Sequence, residues 1–358
     1  MYVSHIPFVS LSFCSKMTIV WLPLFLCFSS LFEVLHATHG DSDPIYRSCV
    51  EQCEAKGYIA EISIKHCKFS SDVLTENSSW YEHKPFYSQW KQWNCESDCQ
   101  YHCMIQREKE RETDGFMPVK YHGKWPFKRV YIFQEPVSAI LSLLSLVIQF
   151  KCWFSYHQLL HYKLPLRPQS QRTFYEFTEL WHVSWLLSMN ASFWSAIFHT
   201  RYSELAERLD YSSIIILLGI SLILAIIRTL HVKDEAARVT VAAPLLAFLT
   251  THVLYLNFYQ FDHGLHLIVG MAMGIAQVLL WVVWSGLTSH PSRLKLWMVM
   301  FGGALAKLLE IYEFPPYYGY VDSHALSHAL TIPLTFLWWS FIKDDAKIQT
   351  STLTKKTS

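Results

Sequence analysis

Asp322-Ser323-His324-Ala325-Leu326-Ser327-His328 stands at the mouth of the last apolar segment of a 358-residue chain. On a helix the two histidines fall one turn apart on one face, the spacing with which two imidazoles grip a single metal ion. Such a pair needs a third ligand. Far upstream, Asn190-Ala191-Ser192-Phe193-Trp194-Ser195-Ala196-Ile197-Phe198-His199 repeats the four-residue step between Ser195 and His199, and Asp210 follows where the next apolar segment begins. The two stretches meet only if the segments between them bring both out at the same end, so their reading decides the threading of the whole chain.

Seven apolar segments, at 131–150, 180–199, 211–227, 239–258, 265–287, 296–311 and 324–342, are each near the length a helix needs to cross a bilayer. With the N-terminal side lumenal, the loops assigned to the cytosol carry Lys151, Lys163, Arg167 and Arg172, then Arg228, Lys233 and Arg238, then Arg293 and Lys295. The facing loops carry only Arg201 and Arg208, as the positive-inside rule requires. The second segment then ends at His199, the third starts just after Asp210, and the seventh starts with His324 and His328. All four residues land at one depth, and a single miscounted segment would separate His199 from His324.

Composition agrees. The chain is 51% hydrophobic, 16% aromatic and only 16% charged, against roughly 25% charged in a soluble domain. A net charge of +1 argues against a nucleic-acid partner, which calls for a basic excess. Cys49, Cys53, Cys67, Cys95, Cys99 and Cys103 precede the first segment and read as disulfides in an oxidising lumen, with the pairing left open; a zinc knot built on the four-residue cysteine steps is the rival reading. An apolar run at 19–32 after Lys16 reads as a signal peptide, with an uncleaved anchor as its alternative. Asn77-Ser78-Ser79 is a glycosylation acceptor. The expected fold is an all-α membrane protein: seven transmembrane helices with a small disulfide-stapled lumenal N-terminal domain. Its divisions are 1–40 signal peptide, 41–129 cysteine-rich lumenal domain, 130–342 seven-helix transmembrane domain and 343–358 cytosolic tail. The tail's Lys355-Lys356 reads either as a retrieval signal or as a solvated basic end.

Ionisable groups in a bilayer cost about 2.5–3.5 kcal/mol each at a helix centre, so their clustering points to function. The expectation is a zinc site held by His199, His324 and His328, with water activated near neutral pH. Asp210 would accept the water proton or orient a ligand, Ser195 would hydrogen-bond the developing oxyanion, and Glu135 would either support the ligands from behind or serve the structure. His263 and His266 are expected to be packing residues, Trp338 and Trp339 part of the interfacial aromatic belt, and Lys307 to pair with Glu310 or snorkel.

These residues resemble the CREST superfamily of seven-span membrane hydrolases, whose pattern is Ser-x3-His on span two, Asp at the start of span three and His-x3-His on span seven. Within it the chain is similar to the GPI-anchor-remodelling post-GPI-attachment-to-proteins factor 3 family. That likeness rests on Asp43-Pro44-Ile45-Tyr46-Arg47-Ser48-Cys49 with Cys53, the Cys95, Cys99, Cys103 run, Gly123-Lys124-Trp125-Pro126-Phe127, Gln134-Glu135-Pro136, His199-Thr200-Arg201 and Glu313-Phe314-Pro315-Pro316. Ser327 stands where the family has tryptophan, and Tyr202 where it has an acid. The resemblance implies a zinc-dependent, phospholipase A2-type hydrolysis of the sn-2 acyl ester of GPI-anchored proteins, in membranes of the endoplasmic reticulum or Golgi. The alternatives are a ceramidase-like lipid amide hydrolase and a non-catalytic seven-span receptor or lipid-binding protein with a structural metal.

Overall fold

The computed structural model describes residues 40–59, 62–64, 67, 93–166, 173 and 175–357. The expected signal peptide, Asn77, Arg167 and Arg172 lie outside the described residues, as do the side chains of Lys355 and Lys356.

Helix α1 (Pro44–Lys56) starts where Asp43 accepts a hydrogen bond from the Ile45 amide and Pro44 takes the first turn; it stops at Gly57, whose φ of 74° is left-handed. Two two-residue strands, β1 (Tyr58–Ile59) and β2 (Ile62–Ser63), pair antiparallel. Helix α2 (Cys95–Thr113) is capped by Asn94, with Glu96 and Asp98 in its first turn, where the helix dipole favours acids. The cysteines of α1 and α2 recur at four-residue steps and so line one face of each helix. Those faces meet in antiparallel order, giving Cys49–Cys103 and Cys53–Cys99, and Cys67–Cys95 closes the intervening loop. The disulfide reading holds. Cys53, Cys67 and Cys99 do gather their sulfurs, but all three are in disulfides and offer no thiolate to a metal, so the zinc knot is ruled out.

Among the described residues, seven helices follow: α3 (Pro136–Gln158), extended by a π-helical turn at Leu159–Lys163, then α4 (Thr178–Thr200), α5 (Glu204–Thr229), α6 (Glu235–Phe258), α7 (His263–Leu287), α8 (Arg293–Ile311) and α9 (Ser323–Thr357). This is an all-α, multi-pass membrane protein. Five of the seven are long and apolar enough to cross a membrane, all but α4 and α8. Ser184, Ser188, Asn190, Ser192 and His199 dilute the apolar character of α4, while α8 has 19 residues and contains Lys295, Lys307 and Glu310. By their contacts, α3, α4, α5, α7, α8 and α9 close a ring in that order, and α6 packs outside against α5.

Several boundaries differ from the sequence expectation: the first segment runs on to Gln158 rather than ending at 150, which takes Lys151 out of the expected cytosolic loop and into the helix, and α6 starts at Glu235 rather than 239. Three more differences have a local cause. The first segment starts at Pro136 rather than 131, because Tyr131 takes a φ of 53° in a turn that pairs Val130 with Phe133. Helix α5 begins at Glu204, where Ser203 caps it and Glu204 and Glu207 favour the first turn, so Asp210 lies inside the helix rather than before it. The last helix does not stop at Ile342: it runs to Thr357, held past that point by Asp345, which is buried against Arg228. The aromatic-belt assignment of Trp338 and Trp339 is also corrected. Trp339 is buried with its indole N–H on Gln149, and Trp338 packs edge-on against Trp181 and Trp281 inside the bundle.

Candidate functional site

The site forms where α4 ends and α3 and α9 begin. The last carbonyls of a helix lack partners within it. Here they accept from the segment leading into α3, Gln134 N–H donating to Thr200 O at 2.9 Å and Glu135 N–H to His199 O at 3.0 Å. Glu135 occupies the N-cap of α3 yet makes no capping bond. Its carboxylate is turned instead to the histidine whose backbone it already holds, with Oε2 2.6 Å from His199 Nδ1. On the other flank of α3, Asp322 accepts from the Ala325 amide at 2.8 Å and starts α9, which puts His324 and His328 in its first two turns.

The three imidazoles converge. His324 Nε2 is 3.2 Å from His199 Nε2 and 3.1 Å from His328 Nε2, and the three ligand atoms lie within 4.8 Å of one another. Three nitrogens bound tetrahedrally at 2.0–2.1 Å would stand roughly 3.3 Å apart, so the spacing suits a metal ion of zinc's size. The donor set fits as well. Accepting at Nδ1, Glu135 selects the tautomer in which His199 carries its proton there and leaves the Nε2 lone pair bare toward its neighbours. A second carboxylate, Glu310 of α8, stands 4.0 Å from His324 Nδ1 and pairs with Lys307 at 2.9 Å, so the expected Lys307–Glu310 pair also faces the cluster.

Glu135 has a partner on its other oxygen: Lys124 Nζ lies 2.6 Å from Oε1. Burial works to raise the Glu135 carboxyl, but Lys124 and His199 outweigh it and hold it well below the usual carboxylate range. Ser195 is buried one turn before His199, its Oγ 3.0 Å from Ser142 Oγ. Asp210 is buried with Oδ1 lacking any hydrogen-bond partner, within electrostatic reach of Glu310, Lys124, Glu135 and Glu207. His263 and His266 stand apart from the triad, His263 3.3 Å from Glu207 and both rings against Tyr211.

The sequence reading did not assign Lys124 or Ser142 to the site, nor Glu310 to His324. The signal for Lys124 is its place within Gly123-Lys124-Trp125, a lysine so close before an apolar segment. Ser142 gave none, being one of several serines in α3. Of the two departures from the family pattern, Tyr202 hydrogen-bonds Glu207 and Gln134, and Ser327 is buried beside His328 in the chain.

Residues 85–346 match the Per1-like family. The chain is 32% identical to a Danio rerio protein called GPI-specific phospholipase A2-like PGAP3, over 87% of this chain and 91% of that protein. It is equally 32% identical to the Homo sapiens protein of that name, over 86% and 89% of the two chains. It is 28% identical to the Drosophila melanogaster protein called Post-GPI attachment to proteins factor 3, over 89% and 92%. No solved structure matches the chain.

Proposed function

The chain belongs to the Per1-like family, and from that premise we propose that it remodels the lipid of GPI-anchored proteins by hydrolysing the sn-2 acyl ester of their phosphatidylinositol. The observation that carries this reading is the meeting of three imidazole Nε2 atoms, one backed by a buried carboxylate, in a membrane protein whose relatives bear the phospholipase A2-like name. His199, His324 and His328 would hold zinc. Bound there, the ion would supply a Lewis acid for the ester carbonyl and a water able to act as nucleophile at neutral pH.

The chain's own groups do the rest. Glu135 fixes the His199 ring so that Nε2 faces its two counterparts. Asp210, with one oxygen unpartnered, accepts the proton of the attacking water and passes it to the departing glycerol oxygen. The Ser195 hydroxyl, oriented by Ser142, donates to the carbonyl oxygen as charge builds on it. Water adds to the carbonyl carbon, the ester C–O bond breaks, and a free fatty acid and a lyso-lipid anchor result. A cavity of about 210 Å³, lined by Trp181, Ser188, Leu218, Trp338 and Trp339, lies deeper in the bundle and would take the end of an acyl chain. The disulfide-bridged segment at 41–129 would face the lumen of the endoplasmic reticulum or Golgi, where thiols oxidise, and carry sugar at Asn77.

The test is expression of the parent, His199→Ala and His324→Ala in cells lacking the endogenous activity, followed by analysis of the acyl chains on released GPI anchors. The parent restores remodelling, and both variants leave the unsaturated sn-2 chain in place. Normal remodelling by the two variants, each correctly folded and located, would sink the proposal.

A further inference from the structure

Glu135 is gripped from two sides, and the second grip comes from outside the helix bundle. Lys124 stands in the strap between α2 and α3, closing a tight turn in which Tyr121 and Lys124 exchange backbone hydrogen bonds at 2.8 and 2.9 Å. His122 and Gly123, between them, take φ values of 48° and 77°; only glycine adopts the second without strain. Tyr121, at the other end of that turn, is buried among Tyr46, Cys53, Cys99 and Cys103, and its hydroxyl donates to Glu108 at 2.9 Å. The ammonium is therefore placed by reference to the disulfide-bridged core. From there it reaches Glu135 Oε1 at 2.6 Å and lies 4.0 Å from the centre of the Phe198 ring, next in the chain to His199.

We infer that Lys124 is a positioning residue for the metal centre, the outermost link of a chain Lys124–Glu135–His199 through which the disulfide-bridged segment sets the orientation of an imidazole ligand. The inference rests on the reading of the three histidines as a zinc site. A carboxylate turns easily about its last bond, and one contact to the imidazole leaves that turn free. A second, charge-assisted bond on the other oxygen fixes the plane of the group and so the direction in which His199 Nε2 points. The same ammonium compensates a carboxylate that is 5% exposed, which would otherwise be a buried charge facing a neutral ring.

The experiment uses the full chain in detergent, comparing the parent with Lys124→Met, Lys124→Gln and Lys124→Arg. Zinc affinity is measured by competition with a chelator, and the ligand field by the visible spectrum of the cobalt-substituted protein. Lys124→Met binds zinc roughly tenfold more weakly with an altered cobalt spectrum, Lys124→Gln falls between, and Lys124→Arg restores both toward the parent. Should Lys124→Met not fold, Lys124→Gln against Lys124→Arg decides. Parental affinity and spectrum in the neutral variants overturn the inference while leaving the zinc site standing. So does a lowered thermal midpoint with an unchanged cobalt spectrum, the mark of a merely structural lysine. A parent that binds no zinc overturns this inference and the zinc chemistry of the proposed function together.

Discussion

Asp210 shows what a single residue gives up if it serves the proposed reaction. Its carboxylate is buried, one oxygen has no hydrogen-bond partner, and three other acids, Glu310, Glu135 and Glu207, act on it through space. A buried polar group without a partner costs about 1–3 kcal/mol, so such a carboxylate calls for an explanation, and proton transfer in the proposed reaction is one. Asp210→Asn removes the like-charge repulsion without changing the shape of the side chain. The thermal midpoint of the variant is expected to equal or exceed the parent's, zinc binding to persist, and acyl release to fall by roughly 10²–10⁴-fold as a lost general base. Thermal unfolding and a lipid-hydrolysis assay on one preparation check the three together. Full turnover by Asp210→Asn removes it from the mechanism. The histidines were legible in the sequence because a four-residue step has one geometric meaning on a helix. The Lys124–Glu135 bond was not, since it depends on a loop conformation that no periodicity encodes.

At the scale of elements, the packing of α8 on α9 bears on the triad, because α9 carries two of its histidines and α8 brings Glu310 to one of them. Their close approach depends on Gly302. A Cβ built there would lie 2.6 Å from Leu334 Cδ2, closer than real contacts come, and 3.0 Å from Cδ1. Gly302→Val is expected to destabilise the protein by about 1–3 kcal/mol through overpacking and to weaken zinc binding by shifting α9. Because the obstacle is a leucine side chain, Gly302→Ala combined with Leu334→Ala should recover part of what Gly302→Ala alone loses. Melting temperatures of the two singles and the double measure this coupling. Strict additivity would mean that the glycine serves something other than this crossing. In the disulfide-bridged pair, loss of Cys53–Cys99 through Cys53→Ser with Cys99→Ser is expected to cost about 2–5 kcal/mol, read by thermal unfolding of the purified variant.

For the whole molecule, apolar segments and cysteine steps made the order of the helices readable, while the extent of the last one was not, since residues 343–357 look like a polar tail. What that reading lacked was the partner of Asp345. At the end of the bundle remote from the histidines, Arg228 of α5 meets Asp345 of α9, with Nε 2.9 Å from Oδ2 and a second contact from Nη2 to Oδ1. Tyr175 donates to Asp345 at 2.7 Å, His290 stands 3.5 Å away, and the guanidinium lies over the Trp284 ring at 4.5 Å. Asp345 is 21 residues beyond His324, about 31 Å along the helix. Two helices that carry site residues at one end are thus pinned to each other at the opposite end. Such a pin is expected to fix the axial register of α9, in which a slip of one residue would carry the imidazoles about 1.5 Å past His199. Removing one partner leaves the other as an uncompensated buried charge, so Arg228→Met or Asp345→Leu alone is expected to cost about 3–5 kcal/mol. The double variant, with neither charge, should recover much of that stability, since an apolar pair of similar volume often replaces a buried ion pair without loss. If register is what the pin supplies, the recovered double variant will still bind zinc more weakly than the parent. Thermal unfolding and chelator competition on the same three variants separate the two effects, and a double variant with parental zinc affinity would confine the pair to stability.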